Sequence, residues 1–83
     1  MRTRVKNPGD SNIIGRRVEI RRKQLGLKQN EVVARLQIEG VDINASSYSK
    51  LEGQVRKVSD IEIKALCSIL DLSPNDLLLW ENK

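Results

Sequence analysis

The chain has 83 residues, a net charge of +4 at pH 7, and only two aromatic residues, Tyr48 and Trp80. A chain of this length buries about 60% of its unfolded surface or slightly more, so it forms one small domain and two independent cores are excluded. The single cysteine, Cys67, excludes an internal disulfide, and without any histidine a structural zinc site is not expected.

The sequence offers no segment that would place the chain in or across a membrane. Its longest apolar run, residues 77–80, is far shorter than the roughly 20 residues of a membrane-spanning helix. The N-terminus also lacks the apolar stretch of a signal peptide. We therefore expect a cytoplasmic protein that works under reducing conditions.

Positive charge is concentrated in the first third of the chain. Residues 1–28 carry nine Lys and Arg against two Asp and Glu, whereas residues 29–83 carry six against nine. Such a basic pole is either an ordinary solvated face or a binding surface for a polyanion. The second interpretation also requires a surface that fits the polyanion.

Apolar residues recur three and four positions apart, while strict alternation of apolar and polar residues is nearly absent. This spacing predicts an all-α fold of five short helices with brief connections, packed as an orthogonal bundle. Residues 1–11, which include Arg2, Arg4 and Lys6, are expected to form a flexible basic arm. Residues 12–83 are expected to form the folded domain.

The first helix is predicted to begin at a cap formed by Ser11 or Asn12 and to end near Leu25, with Gly26 in a left-handed conformation behind it. Its predicted inward stripe consists of Ile14, Val18, Arg22 and Leu25. The arginine is unusual there, because burial of an unpaired guanidinium costs roughly several kcal/mol. We therefore expect a carboxylate partner for Arg22 elsewhere in the fold.

The second and third helices flank a connection formed by residues 40–43. The second is predicted to start near Gln29 and to fray around Ile38, with Val32, Val33 and Leu36 facing inward. The third is predicted over residues 45–52, with Asn44 as its N-cap. Its inward residues are Tyr48 and Leu51, and its outer side carries Asn44, Ser46, Ser47, Ser49 and Lys50. Residues 53–57 are predicted to form a basic loop.

The fourth and fifth helices have the clearest start signals. Ser59 and Glu62 form a capping box, and the apolar stripe behind them consists of Ile63, Leu66, Cys67 and Leu70. Cys67 on that stripe is interpreted as a packing residue rather than a redox sensor. Ser73 followed by Pro74 predicts the start of the last helix, which is expected to reach about Glu81.

Three segments of the chain form an ordered set: residues 22–33 (RKQLGLKQNEVV), residues 48–52 (YSKLE) and residues 69–73 (ILDLS). In this order they resemble the entry into the helix-turn-helix, the recognition helix and the closing segment of the phage repressor/Cro (Xre-like) helix-turn-helix family. The resemblance covers about residues 13–79. It implies a five-helix lambda-repressor-like bundle, and a sequence-specific double-stranded DNA-binding transcriptional regulator.

The resemblance also implies a partner for Arg22, because the family pairs this arginine with the glutamate that ends the third helix, here Glu52. Two features depart from the family pattern. Lys28 stands at the usual Ser or Thr cap of the second helix, either as a tolerated surface residue or beside a phosphate. The interval from Gln29 to Glu52 is about five residues longer than usual, which either lengthens the second helix or widens the connection.

The resemblance and the chemistry of the side chains together predict the DNA contacts. Bases would be read in the major groove by Ala45, Ser46, Ser49 and Lys50. Phosphates would be contacted by Arg21, Lys28, Gln29, Asn44, Ser47, Gln54, Arg56 and Lys57. Tyr48 is assigned to the core, with its hydroxyl able to reach the surface. The N-terminal arm either enters a minor groove or acts only through weak electrostatic attraction.

The family resemblance further implies a homodimer on two half-sites. Leu79 or Trp80 is the predicted self-association surface, the alternative being that Trp80 folds back over its own core. An antitoxin-type protein-interaction module with autoregulatory DNA binding is the second functional hypothesis, and it adds a protein partner. No set of residues for catalysis or for a cofactor can be assembled, so an enzyme is not expected.

Overall fold

The computed structural model describes residues 11–79 of the chain. These residues form five helices and contain no strand, which confirms the predicted all-α fold. The helices are α1 (Gly15–Gln24), α2 (Gln29–Ile38), α3 (Ala45–Glu52), α4 (Asp60–Leu70) and α5 (Pro74–Leu78). The first four pack against one another, and α5 packs on α4. No helix within residues 11–79 is both long and apolar enough to cross a membrane.

One aliphatic core holds the helices together, and Tyr48 is its only aromatic member within residues 11–79. Its buried members are Ile14, Val18, Val32, Val33, Leu36, Val41, Ile43, Tyr48, Leu51, Ala65, Leu66, Leu70 and Leu77. The predicted inward residues of α2 and α3 are all buried. On α4, Leu66 and Leu70 are fully buried, while Ile63 and Cys67 are partly buried against the core. Burial raises the pKa of the Cys67 thiol, as expected of a packing residue.

Leu25 is the one wrong member of the stripe predicted for α1, since 40% of it is exposed. The chain turns immediately after it, at Gly26, whose φ of 72° is the left-handed conformation that was predicted. The Leu27 N–H then donates to the Arg22 carbonyl oxygen at 3.1 Å, which completes a Schellman motif. This turn carries Leu25 outward, and Leu27 packs against the core instead.

Side-chain caps start the helices largely where the sequence predicts them. The side chains of Asn44, Ser59 and Ser73 each accept a hydrogen bond from the N–H three residues later. Before α1 the acceptor is Asn12 rather than Ser11: its Oδ1 accepts from the Ile14 and Gly15 N–H groups at 3.1 and 2.8 Å. Each cap satisfies backbone donors that the first turn of a helix leaves unpaired.

The end of α5 differs from the prediction, because the helix stops at Leu78 instead of reaching about Glu81. Leu77 is buried, but Leu79 is 73% exposed. Leu77 therefore lies on the core, and Leu79 faces solvent. Residues 80–83 lie outside the described part of the chain.

The longer interval before α3 is taken up mainly by the connection. Helix α2 ends at Ile38, so residues 39–44 lie between the two helices. Val41 and Ile43 are buried, although neither was predicted as a core residue, and Asp42 between them is exposed. The connection is therefore packed on the core through Val41 and Ile43.

Candidate nucleic-acid interface

The ends of three helices meet at the buried carboxylate of Glu52. Arg22 on α1 donates from Nε to Oε2 at 2.6 Å and from Nη2 to Oε1 at 3.1 Å, so the pair is bidentate. Its Nη1 donates to the Leu27 carbonyl oxygen at 2.9 Å. Arg22 and Glu52 are only 8% and 5% exposed. The structure thus brings together the two residues that the family resemblance pairs, and the buried guanidinium has the partner it requires.

Two further donors complete this cluster, which we call the Glu52 hub (Arg22, Gln29, Tyr48 and Glu52). Gln29, the first residue of α2, donates from Nε2 to Glu52 Oε1 at 2.9 Å. The Tyr48 hydroxyl donates to Glu52 Oε2. Tyr48 is fully buried, so the expectation that its hydroxyl reaches the surface is wrong. Neither the Gln29 nor the Tyr48 contact was predicted.

Two members of the hub, Arg22 and Tyr48, have shifted pKa values. The hydrogen bond to Glu52 raises the pKa of Arg22, so the guanidinium stays charged. Burial, and next the hydrogen bond to Glu52, raise the pKa of Tyr48 well above its ordinary value, so the hydroxyl stays a donor. The hub therefore fixes the start of α2, the end of α3 and the last turn of α1 to one another.

The outer side of α3 carries small polar residues and one lysine. Its four predicted base-reading residues are all exposed: Ala45, Ser46, Ser49 and Lys50. They stand at helix spacings of one, four and five, which places them on one face. Short side chains on such a face let the backbone approach a groove closely, while Lys50 extends beyond them as a charged donor.

The N-terminus of α2 lies beside the end of α3, because the Gln29 side chain links the two. Lys28 is exposed, and a lysine side chain has no acceptor with which to cap the helix. Glu31 compensates in part, since its Oε1 accepts from the Lys28 N–H at 2.7 Å. The next two N–H groups, of Gln29 and Asn30, have no partner within the helix and carry the positive end of its dipole. This arrangement suits an anion.

Three more residues that were predicted to contact phosphate lie in or near α3: Asn44, Ser47 and Lys57. Asn44 Oδ1 accepts from the Ser47 N–H at 2.8 Å and so holds the first turn of the helix. Asn44 and Lys57 are exposed, and Ser47 is half-buried. These three residues remain at the ends of α3, where the phosphate-contacting set was predicted.

The Arg56 side chain makes hydrogen bonds within the fold that were not predicted. Its Nη1 and Nη2 donate to the Glu62 carboxylate at 3.2 and 2.7 Å, and its Nε donates to the Ser47 carbonyl oxygen at 2.9 Å. This contact is also the main reason why the pKa of Glu62 is lowered. Arg56 therefore joins α3 to the start of α4 with its charge paired to Glu62, and its contact with phosphate stays a prediction.

Arg21 and Gln54, both predicted to contact phosphate, also make hydrogen bonds within the fold. Arg21 donates from Nε to the Leu70 carbonyl oxygen at 2.9 Å, at the C-terminal end of α4, where a cation complements the helix dipole. Gln54 donates from Nε2 to the Asn12 carbonyl oxygen at 3.1 Å. Asn12 in turn donates to the carbonyl oxygens of Leu51 and Arg56 at 3.1 and 2.8 Å. Both side chains thus help to fix α1 and the residues before it, and their contact with phosphate stays a prediction.

The predicted dimer surface is only partly within the described residues. Leu79 is strongly exposed, as a surface for self-association requires, and Leu78 is 37% exposed. Trp80 lies outside residues 11–79, and so do Arg2, Arg4 and Lys6 of the predicted N-terminal arm.

The geometry of α2 and α3 defines a class of protein. A short helix that shows its polar face to solvent, locked to the N-terminus of the preceding helix, is the arrangement of a helix-turn-helix DNA-binding domain. The family model of the Cro/C1-type HTH DNA-binding domain matches residues 17–83, so the chain belongs to this family of DNA-binding regulators. No curated protein and no solved structure matches the chain.

Proposed function

We propose that the protein is a sequence-specific transcriptional regulator that binds operator DNA as a homodimer, with α3 in the major groove. The observation that carries this proposal is the contrast between the two sides of α3. Tyr48 and Leu51 are fully buried, while Ala45, Ser46 and Lys50 are exposed. A major groove admits one helix and presents a distinct pattern of donors and acceptors for each base pair.

In this proposal the exposed face of α3 reads bases. Lys50 donates to guanine O6 and N7, the hydroxyls of Ser46 and Ser49 donate or accept, and the methyl group of Ala45 contacts a thymine methyl. Serine and alanine make few contacts, so we expect most of the discrimination within each half-site to come from Lys50.

Phosphate contacts would come from the two ends of the helix-turn-helix. The unpaired N–H groups at the start of α2, with Lys28 beside them, would bind one phosphate. Asn44, Ser47 and Lys57 would bind backbone at the ends of α3. Arg21, Gln54 and Arg56 are left out of this set, because their side chains are engaged within the fold.

Dimer formation would provide the second half-site, and the exposed Leu79 supports a self-association surface near the C-terminus. Two identical subunits related by a twofold axis would bind an operator with matching symmetry, with half-sites about one helical turn or a multiple of it apart.

Selection of bound sequences from random DNA tests the proposal directly. We expect a symmetric consensus, and an affinity that falls steeply as the salt concentration rises. Lys50→Ala should weaken discrimination at one base pair of each half-site, whereas Lys64→Ala, an exposed lysine on α4, should leave the consensus unchanged. Binding without sequence preference would contradict the proposal. A second polypeptide co-purifying in equal amount would favour the antitoxin-type alternative.

A further inference from the structure

The connection between α2 and α3 is anchored immediately where α2 ends. The Gly40 N–H donates to the Gln37 carbonyl oxygen at 3.0 Å, and the Val41 N–H donates to the Leu36 carbonyl oxygen at 2.9 Å. With Gly40 at a φ of 94°, these bonds form a Schellman motif that stops the helix at a defined point. The position at which the chain leaves α2 is therefore fixed.

The far end of the connection is held by a side chain of α2. Gln37 Nε2 donates to the Ile43 carbonyl oxygen at 2.9 Å, and Ile43 itself is only 5% exposed. Ile43 directly precedes Asn44, the N-cap of α3. The amide of Gln37 therefore fixes the backbone from which α3 starts.

We propose that Gln37 is a positioning residue for DNA reading, which rests on the function proposed above. Besides its buried residues, hydrogen bonds hold α3 at both ends: the Glu52 hub at its C-terminal end, and at its N-terminal end the Gln37–Ile43 bond before the helix and the Arg56–Ser47 bond in its first turn. Of these bonds only the Gln37–Ile43 bond fixes the backbone just before the helix, so without it the start of α3 shifts relative to the end that Glu52 holds. Ala45 and Ser46 belong to that first turn, while Lys50 lies in the last turn near Glu52.

This geometry gives the loss of Gln37 a particular signature. Removal of one hydrogen bond that sets the position of a residue should lower discrimination by about threefold to tenfold at the base pairs read by the first turn. Discrimination at the base pair read by Lys50 should change little. A purely structural role would lower the amount of folded protein but would not redistribute sequence preference along the half-site.

The experiment compares three variants on the full chain, using a selected operator and its single-base-pair substitutions. Gln37→Leu removes the donor, Gln37→Lys keeps an N–H donor on a side chain of similar reach, and Gln24→Leu makes the same change at an exposed position on α1. Ser46→Ala and Lys50→Ala identify which base pairs each residue reads. Dissociation constants are measured at one salt concentration and corrected for the folded fraction by circular dichroism.

We expect Gln37→Leu to lose discrimination at the base pairs that Ser46→Ala identifies. Gln37→Lys and Gln24→Leu should keep that discrimination. A uniform loss at all positions, or an unchanged ratio in Gln37→Leu, would overturn the role of Gln37 while leaving the DNA-binding function intact. If the unmodified protein itself shows no sequence preference, the proposed function fails first.

Discussion

Arg22 and Glu52 form a bidentate ion pair between α1 and α3, and the two side chains are only 9% and 4% exposed. A buried pair of this kind contributes little net stability compared with apolar residues, but the loss of one partner leaves a charge without compensation. We expect Glu52→Gln, which keeps the size of the side chain, to lower the free energy of unfolding by about 3–5 kcal/mol. Urea denaturation followed by circular dichroism measures this loss.

The double variant Arg22→Met/Glu52→Gln is the control for this prediction. It removes the unpaired guanidinium along with the carboxylate, so it should be more stable than Glu52→Gln alone. If the two variants are equally unstable, the loss of stability comes from the Gln29 and Tyr48 hydrogen bonds to Glu52 and not from the unpaired charge of Arg22. A loss below about 1 kcal/mol in Glu52→Gln would show that the pair is effectively solvated.

The second prediction concerns the close approach of α1 to α3. A Cβ added to Gly15 would overlap the Leu51 carbonyl oxygen and lie 2.9 Å from that of Glu52. Both obstacles are backbone atoms, so the helices must move apart. We expect Gly15→Ala to lower the free energy of unfolding by about 1–3 kcal/mol or more, measured by thermal or urea unfolding.

Gly53→Ala is the matched control, because it makes the same change at the other end of the contact. A Cβ there would lie 3.4 Å from the Ser49 carbonyl oxygen, an ordinary contact, and the φ of −75° suits any residue. The helix propensity of alanine should make this variant neutral, or more stable by up to about 1 kcal/mol. Equal effects at Gly15 and Gly53 would mean that the close approach is not required.

Features that depend on a few consecutive residues could be predicted from the sequence. The caps at Asn44, Ser59 and Ser73 need only the residue types over one turn, so the starts of three helices were predicted correctly. The outward face of α3 likewise followed from the helical spacing around Tyr48 and Leu51. These signals are local, and tertiary packing did not override them.

Contacts between distant segments could not be predicted in the same way. A glutamine at the start of a helix indicates no particular partner, so the bond from Gln29 to Glu52, 23 residues away, had no sequence signal. Arg56 was assigned to DNA because its loop is basic, but Glu62 lies within reach once α4 is packed. The Arg22–Glu52 pair was the exception, because a buried arginine requires a carboxylate and the family pattern supplied one.

The third prediction is a loss of stability in acid through Glu62. Its pKa is lowered in the fold, mainly by the hydrogen bonds from Arg56, from an ordinary value of 4.5. A carboxylate whose pKa falls on folding stabilises the protein above its unfolded pKa, and this contribution is lost as the pH falls through the folded pKa. We therefore expect the melting temperature to fall as the pH is lowered below about 4.5, and Glu62→Gln to reduce that dependence.

Glu39→Gln serves as the control for the acid experiment, since Glu39 is an exposed residue at the end of α2. It should leave the pH dependence of the melting temperature close to that of the unmodified protein. Parallel curves for Glu62→Gln and the unmodified protein would mean that other carboxylates carry the acid sensitivity. Below the acid transition the two proteins should converge in stability, because protonation has the same effect as the substitution.

The last prediction separates phosphate contact from base reading by means of salt. Lys57 is exposed in the loop after α3, and Lys50 is exposed on α3 itself. In the proposed complex Lys57 contacts a phosphate, whereas Lys50 contacts a base. Each phosphate contact releases condensed counterions and adds roughly 0.9 to the slope of log affinity against log salt concentration. We expect Lys57→Ala to reduce the slope by about that amount and to weaken binding to all DNA sequences alike, measured by fluorescence anisotropy.

Lys50→Ala should instead weaken binding to the selected operator more than binding to substituted operators, by about 1–3 kcal/mol at the base pair that Lys50 reads. If Lys57→Ala changes sequence preference while the salt slope stays constant, the loop contacts bases and the docking of α3 proposed here is wrong.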